Sequence, residues 1–192
     1  GALELDDGGT GGAGEVIVCV RDPAAFADRA SCEGVVLPDR LQIVEDDPGL
    51  AGPVAGLVAG LAAVPYGVVV AVAADLPFVD SSLLAGLLDA LDASPSADAV
   101  VPIVDGRDQP LCAAYRASAV ETARGLGSRS PVGERDDARG PALADLLAAL
   151  AVRRLSSVGS LGPEELAVMC RGIDSPDDLR WAESRVRDAR RD

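Results

Sequence analysis

Short, valine-rich apolar runs alternate along this chain with longer stretches of helical pattern. Residues 15–20 (Glu-Val-Ile-Val-Cys-Val), 41–44 (Leu-Gln-Ile-Val), 67–74 (Gly-Val-Val-Val-Ala-Val-Ala-Ala), 99–104 and 110–115 are too short for ordinary helices, and each reads as a strand. Residues 23–29, 53–64, 81–92, 117–126, 142–151 and 176–190 read as helices. The 81–92 segment is the clearest: Leu83, Leu84, Leu87, Leu88 and Leu91 share one face, and Asp80 or Ser81 stands where a cap belongs. Strands apolar on both faces, alternating with helices, predict an α/β domain whose mostly parallel sheet carries helices on both faces. Residues 125–140, rich in Gly, Ser, Arg and Asp, read as one long polar loop. No internal repeat is visible.

Composition narrows the function classes. At 192 residues the chain fits a single domain, 1–192, long enough to bury a core. No apolar run approaches the length of a membrane span, and no secretory pattern opens the chain. Arginine supplies all 17 basic residues, lysine and histidine are absent, and the net charge is −14. Such a surface repels nucleic acid. Cys19, Cys32, Cys112 and Cys170 are scattered without metal or redox spacing and read as reduced thiols of a cytoplasmic protein.

Ligands of such sheets gather beyond the carboxyl ends of the strands. Asp75 follows the 67–74 strand directly, in Ala-Asp-Leu-Pro-Phe. A carboxylate there is suited to hold Mg²⁺ over a phosphate, since magnesium needs one or two carboxylates besides phosphate oxygens. It equally suits a plain turn before the next helix. Glu45-Asp46-Asp47 ends the 41–44 strand and leads to Gly52-Pro53, where glycine allows close backbone approach and proline presets a helix start. That helix N-terminus would offer amides to an anion, or simply begin a helix.

The order of these pieces is more specific than any one of them. Glu-Asp, then Gly52-Pro53-Val54-Ala55-Gly56-Leu57, then Ala-Asp-Leu-Pro-Phe, then Asp-Gly-Arg-Asp-Gln-Pro-Leu-Cys-Ala-Ala-Tyr-Arg (105–116), then Gly-Ile-Asp-Ser-Pro-Asp-Asp-Leu (172–179) resembles the MobA-like NTP transferases. The resemblance runs from about residue 15 to 181, and the Gly52–Leu57 and Gln109–Leu111 segments point to the molybdenum-cofactor branch. It implies a Rossmann-like nucleotidyltransferase fold and transfer of GMP from GTP to Mo-molybdopterin, giving the guanine dinucleotide cofactor and pyrophosphate, with Mg²⁺ as cofactor. By the same resemblance Asp75 is the catalytic, metal-binding aspartate, and Asp46, Gly52 and Pro53 are nucleotide-binding. Gln109 and Asp174 then lie on the substrate side. Implied partners are GTP, molybdopterin and molybdoenzyme maturation proteins, not nucleic acid or membrane.

One departure is as informative. The family begins with a strand and a Leu-Ala-Gly-Gly-x-Ser-x-Arg-Met-Gly loop followed by Asp-Lys, whose amides and lysine serve the triphosphate. This chain opens Gly1-Ala2-Leu3-Glu4-Leu5-Asp6-Asp7, resembling the family's residues just after that lysine, so the N-terminal glycine-rich loop segment is expected to be missing from this sequence. Gly11-Gly12-Ala13-Gly14 is no substitute, because it precedes a strand instead of opening a helix. Two other readings stay open. One is a sibling transferase with another nucleotide or acceptor, such as a molybdopterin cytidylyltransferase or a phosphoenolpyruvate or phospholactate guanylyltransferase. The other is a catalytically inactive binding homologue.

Overall fold

The structure, a computed structural model, describes residues 15–34, 36, 40–64, 67–127 and 142–189. The glycine-rich stretch 8–14 and most of the polar loop expected over 125–140 lie outside the described residues.

Two strands, β1 (Val16–Val20) and β2 (Leu41–Glu45), pair in parallel, with α1 (Pro23–Cys32) between them in sequence. Asp22 caps α1 by accepting from Ala25 N (2.9 Å), and Pro23 sits in the first turn, where amides have no helical partner. There follow α2 (Pro53–Ala63), β3 (Val68–Val72), α3 (Ser81–Asp92), β4 (Ala99–Val104), β5 (Arg107–Asp108), β6 (Cys112–Arg116) and α4 (Ala119–Gly127). The chain ends with α5 (Leu143–Ala149), β7 (Val152–Leu155), α6 (Pro163–Met169) and α7 (Pro176–Ala189).

The expected α/β class is present, but the larger sheet is mixed and not mostly parallel. In this five-stranded sheet β6 lies between β3 and β4 and runs antiparallel to both, while β7 pairs with β4 in parallel. Thus β3, β4 and β7 share a direction and β6 opposes them. The cause is local. Asp105 and Gly106, with φ of 50° and 75°, supply the two positive-φ residues of a tight hairpin turn, so β4 folds back directly onto β5. No helix separates β4 from β6, and a parallel return would need such a crossover.

Alternating residues of the central strands feed two cores. Ala99 and Val101 of β4, with Ala113 and Tyr115 of β6, pack against Val54, Leu57, Val58 and Leu61 of α2 and against Leu146 and Leu147 of α5. Val100, Cys112 and Ala114 face the other way, onto Leu83, Leu87 and Leu91 of α3 and Leu166 of α6. Helices on both faces are as the sequence predicted. Each fully buried leucine contributes about 1.5–3 kcal/mol by leaving water.

Both ends of α3 are fastened. Asp80 accepts from Ser82 N (2.9 Å) and Leu83 N (3.1 Å), as a cap should. At the other end Arg116 donates from Nη2 to Leu91 O (3.0 Å), satisfying a carbonyl of the last turn, and from Nε to Ala97 O (2.9 Å) in the loop that follows. All four cysteines are free: Cys112 and Cys170 are buried, Cys19 is half-buried and Cys32 is exposed. No helix among the described residues is long and apolar enough to cross a membrane.

Candidate active site

The site grows from the exit of β3. Ala73 N still donates to Leu111 O (2.8 Å), extending the β3–β6 pairing by one bond, and Leu76 N then turns back to Ala73 O (3.3 Å). Asp75 is left exposed just beyond the strand. Its main-chain oxygen accepts from Ile173 N (3.0 Å), which draws the segment between α6 and α7 alongside. Gly172 marks the closest approach. A Cβ on this residue would lie 3.0 Å from Asp75 Oδ2 and 3.7 Å from Asp174 Oδ2. Two carboxylates far apart in sequence therefore both come close to Gly172, where a side chain would crowd Asp75.

This corner fits a hard divalent cation. Such an ion accepts one or two carboxylates and leaves its remaining positions to phosphate oxygens and water. Among the described residues no group of three or more His, Cys, Asp or Glu side chains could form an all-protein cage. An ion held by Asp75 and Asp174 would thus complete its shell with water and phosphate oxygens.

A clasp surrounds the corner. The Phe78 ring meets Trp181 edge-on, with centroids 5.4 Å apart and planes at 89°. Arg171 lies over the same indole at 4.1 Å and pairs with Asp178 at 2.8 Å. Ser175 donates its hydroxyl to Asp178 Oδ2 (2.5 Å) and accepts from Asp178 N (3.2 Å), fixing the start of α7. The Ser175 hydroxyl first, and then Arg171, hold the Asp178 carboxyl below its ordinary range.

The other expected residues gather elsewhere. Asp46 N donates to Val20 O (2.9 Å), continuing the β1–β2 ladder, and its carboxylate lies against α2, where a Cβ on Gly56 would be 3.2 Å from Asp46 Oδ1. Burial, and then the Asp46 charge, push the Cys19 thiol up. Gly52 has φ 65° and ψ −156°, a conformation open essentially to glycine alone. Pro53 follows in the first turn of α2, as expected, and no side chain caps that end. Gln109 donates its N to Pro102 O (2.9 Å) and its Nε2 to Arg107 O (3.2 Å). Tyr115 anchors the next residue by donating to Pro110 O (2.7 Å). The structure therefore brings Asp75 and Asp174 to Gly172 and ties the strand-entry segment after Gln109 to the β3 exit through Leu111, while Asp46, Gly52 and Pro53 belong to the β2–α2 connection.

Sequence reasoning missed Gly172, Arg171 and Trp181 as parts of the site. Gly172 stood inside the quoted Gly-Ile-Asp motif, but its close approach to Asp75 is a tertiary fact. A depression of about 530 Å³ lined by Ser94, Pro95, Ser96 and Arg153 lies at the amino ends of β4 and β7, away from this chemistry.

A carboxylate just past a strand end of an α/β sheet, with a second from the α6–α7 connection near it, stands where ligands of such folds gather. In overall structure the chain is similar to molybdopterin-guanine dinucleotide biosynthesis protein A from Archaeoglobus fulgidus, with a TM-score of 0.65 and 23% identity, covering 90% of this chain and 78% of that one. It is also similar to a putative protein from Aquifex aeolicus, with a TM-score of 0.60 and 16% identity, covering 84% and 71%. In sequence it is 31% identical over 88 residues to a probable molybdenum cofactor guanylyltransferase of Halalkalibacterium halodurans, covering 45% of this chain and 44% of that protein. It is 34% identical over 113 residues to a molybdenum cofactor guanylyltransferase of Burkholderia orbicola, covering 57% and 53%. The chain thus spans about half the length of the curated relatives it matches. Residues 9–139 match the MobA-like NTP transferase domain, and the chain belongs to that family.

Proposed function

We propose that this chain carries the metal corner of a molybdenum cofactor guanylyltransferase, which moves GMP from GTP to Mo-molybdopterin and releases pyrophosphate. The observation that supports it best is the approach of Asp75 and Asp174 to Gly172 in a member of this family. Asp75 and Asp174 would hold Mg²⁺ together with nucleotide phosphate oxygens. When bound, the ion neutralises charge on those phosphates as pyrophosphate leaves.

The chain's own residues do the rest. The N-terminus of α2, capped by no side chain, presents amides to an anion, with Gly52 and Pro53 shaping the approach and Asp46 beside it. Gln109 spends one amide hydrogen on Arg107 O and retains its side-chain carbonyl oxygen for the pterin. A phosphate oxygen of molybdopterin attacks the α-phosphorus of GTP. One P–O bond forms as the bond to pyrophosphate breaks. The reading carries a cytoplasmic setting, with molybdoenzyme maturation proteins as further partners.

Pyrophosphate release from GTP, followed in the complete encoded protein with molybdopterin as acceptor, tests it. Release should require both substrates, and Asp75→Asn should lower kcat by roughly 10²–10³-fold, the scale of losing a key charge stabiliser. Near wild-type turnover of that variant at saturating Mg²⁺ removes Asp75 from the mechanism. Preference for CTP turns the reading to a cytidylyltransferase. A second reading, a binding homologue without transfer, draws on the absence of every lysine in the sequence. It requires pterin binding with no pyrophosphate release.

A further inference from the structure

The carboxylates at the corner sit on two separate chain segments, and one side chain from outside both segments touches each of them. Asp75 leads within three residues to Phe78, whose ring edge rests against Trp181 at 5.4 Å. Asp174 follows Arg171, whose guanidinium lies over the same indole at 4.1 Å. The Ile173–Asp75 hydrogen bond (3.0 Å) closes the circuit. Pairing with Asp178 holds the Arg171 charge on the α7 side. We propose that Trp181 is a positioning residue: by holding both Phe78 and Arg171 against its indole, it sets the Asp75 carboxylate in register with Asp174 for a divalent cation. This rests on the metal reading above and adds a residue to it. Metal sites depend on such supports, since carboxylates left free to swing must be reordered when the ion binds.

Mn²⁺ alone, with the free ion counted by electron paramagnetic resonance, is the probe. Trp181→Ala should weaken Mn²⁺ binding about tenfold and Trp181→Phe, which keeps a ring against Phe78 and Arg171, by no more than about twofold, in line with the usual effect of losing an outer support. Phe78→Leu should behave like Trp181→Ala and provides the same comparison if the latter does not fold. Each variant is first required to unfold cooperatively. Because Trp181 is the only tryptophan, Tb³⁺ in the corner should also luminesce on indole excitation, and Asp75→Asn should remove that signal while leaving Trp181 in place. Folded Trp181→Ala or Phe78→Leu protein binding Mn²⁺ like wild type overturns the proposal, as does Trp181→Phe losing as much as Trp181→Ala. If Asp75→Asn also binds like wild type, the metal reading fails and the positioning role falls with it.

Discussion

Two pairs of strands, β4 with β6 and β1 with β3, are equally apolar and meet different surroundings. Residues 99–102 of β4 and 112–115 of β6 are buried. Residues 16–20 of β1 (Val-Ile-Val-Cys-Val) and 68–72 of β3 (Val-Val-Val-Ala-Val) are as apolar, yet none is buried, and Val16, Val68 and Val72 are 44%, 38% and 42% exposed. Composition does not make the difference. Among the described residues β4 and β6 have strand neighbours on both edges and helices over both faces, whereas β1 pairs only with β2, and β3 has a neighbour on one edge. An apolar strand is buried by what covers it, and an uncovered apolar edge is a place where stability is low.

The largest effect should come from cutting into the covered half. Leu87→Ala, at a fully buried site under β4 and β6, should cost about 2–5 kcal/mol in denaturant unfolding, while Val18→Ala in β1 should cost about 1 kcal/mol or less. Equal losses would mean that β1 is as well covered as the centre and would break the comparison.

Glycines sharpen it. A Cβ on Gly86 of α3 would lie 2.7 Å from Val158 Cγ1, inside a closed core, so Gly86→Ala should destabilise by about 1–3 kcal/mol despite the better helix former. On α2 a Cβ at Gly60 meets only Cys19 Sγ, at 3.2 Å, in the looser half. Gly60→Ala should therefore stay within about 1 kcal/mol of wild type. Melting curves of the two variants decide the matter.

Next comes the α3 cap. Asp80→Ala should cost about 1 kcal/mol at neutral pH. Partial burial works to raise the Asp80 pKa, but the Ser82 hydroxyl and the Leu83 and Ser82 amides outweigh it, so the folded-state value is lowered. A lowered folded value means that the stability it contributes is complete above the ordinary carboxylate range and fades as pH falls through the folded value, below about 4. The wild-type and Asp80→Asn stability curves should draw together there. A gap that persists into strong acid would show that charge plays no part in the cap. The smallest stability change belongs to Asp46→Ala, within about 0.5 kcal/mol for a partly exposed side chain, accompanied by a clear rise in the KM for GTP. A large stability loss with unchanged KM would make Asp46 part of the β2–α2 packing alone.

Much of this was legible in the sequence, for a physical reason. The strands at 15–20, 41–44, 67–74 and 99–104 and the α3 cap depend on local pattern, and they appear within a few residues of where they were read. β7 was missed because Val-Arg-Arg-Leu has no alternation. It becomes a strand by pairing with β4 through residues 99–102, which no local window shows. α6 could have been found: Pro163 stands in its first turn and Glu165 reaches back to accept from Gly162 N (3.0 Å), a helix-start signature. The direction of β6 was likewise within reach, since Asp105-Gly106 is a strong hairpin signal. The partnership of Asp75 with Asp174 follows from the fold, and the single tryptophan had no visible role until Phe78 and Arg171 were found against it.

In the proposed site Asp75 and Asp174 together would hold the divalent ion that serves the nucleotide. Crystals of the complete encoded protein grown with Mn²⁺ and GTP, measured for anomalous scattering from manganese, test this most directly. A manganese peak should lie beside Gly172, within coordination distance of Asp75 and Asp174 and sharing a phosphate oxygen of the nucleotide. GTP bound with manganese elsewhere, or phosphates remote from Asp75, would contradict the account.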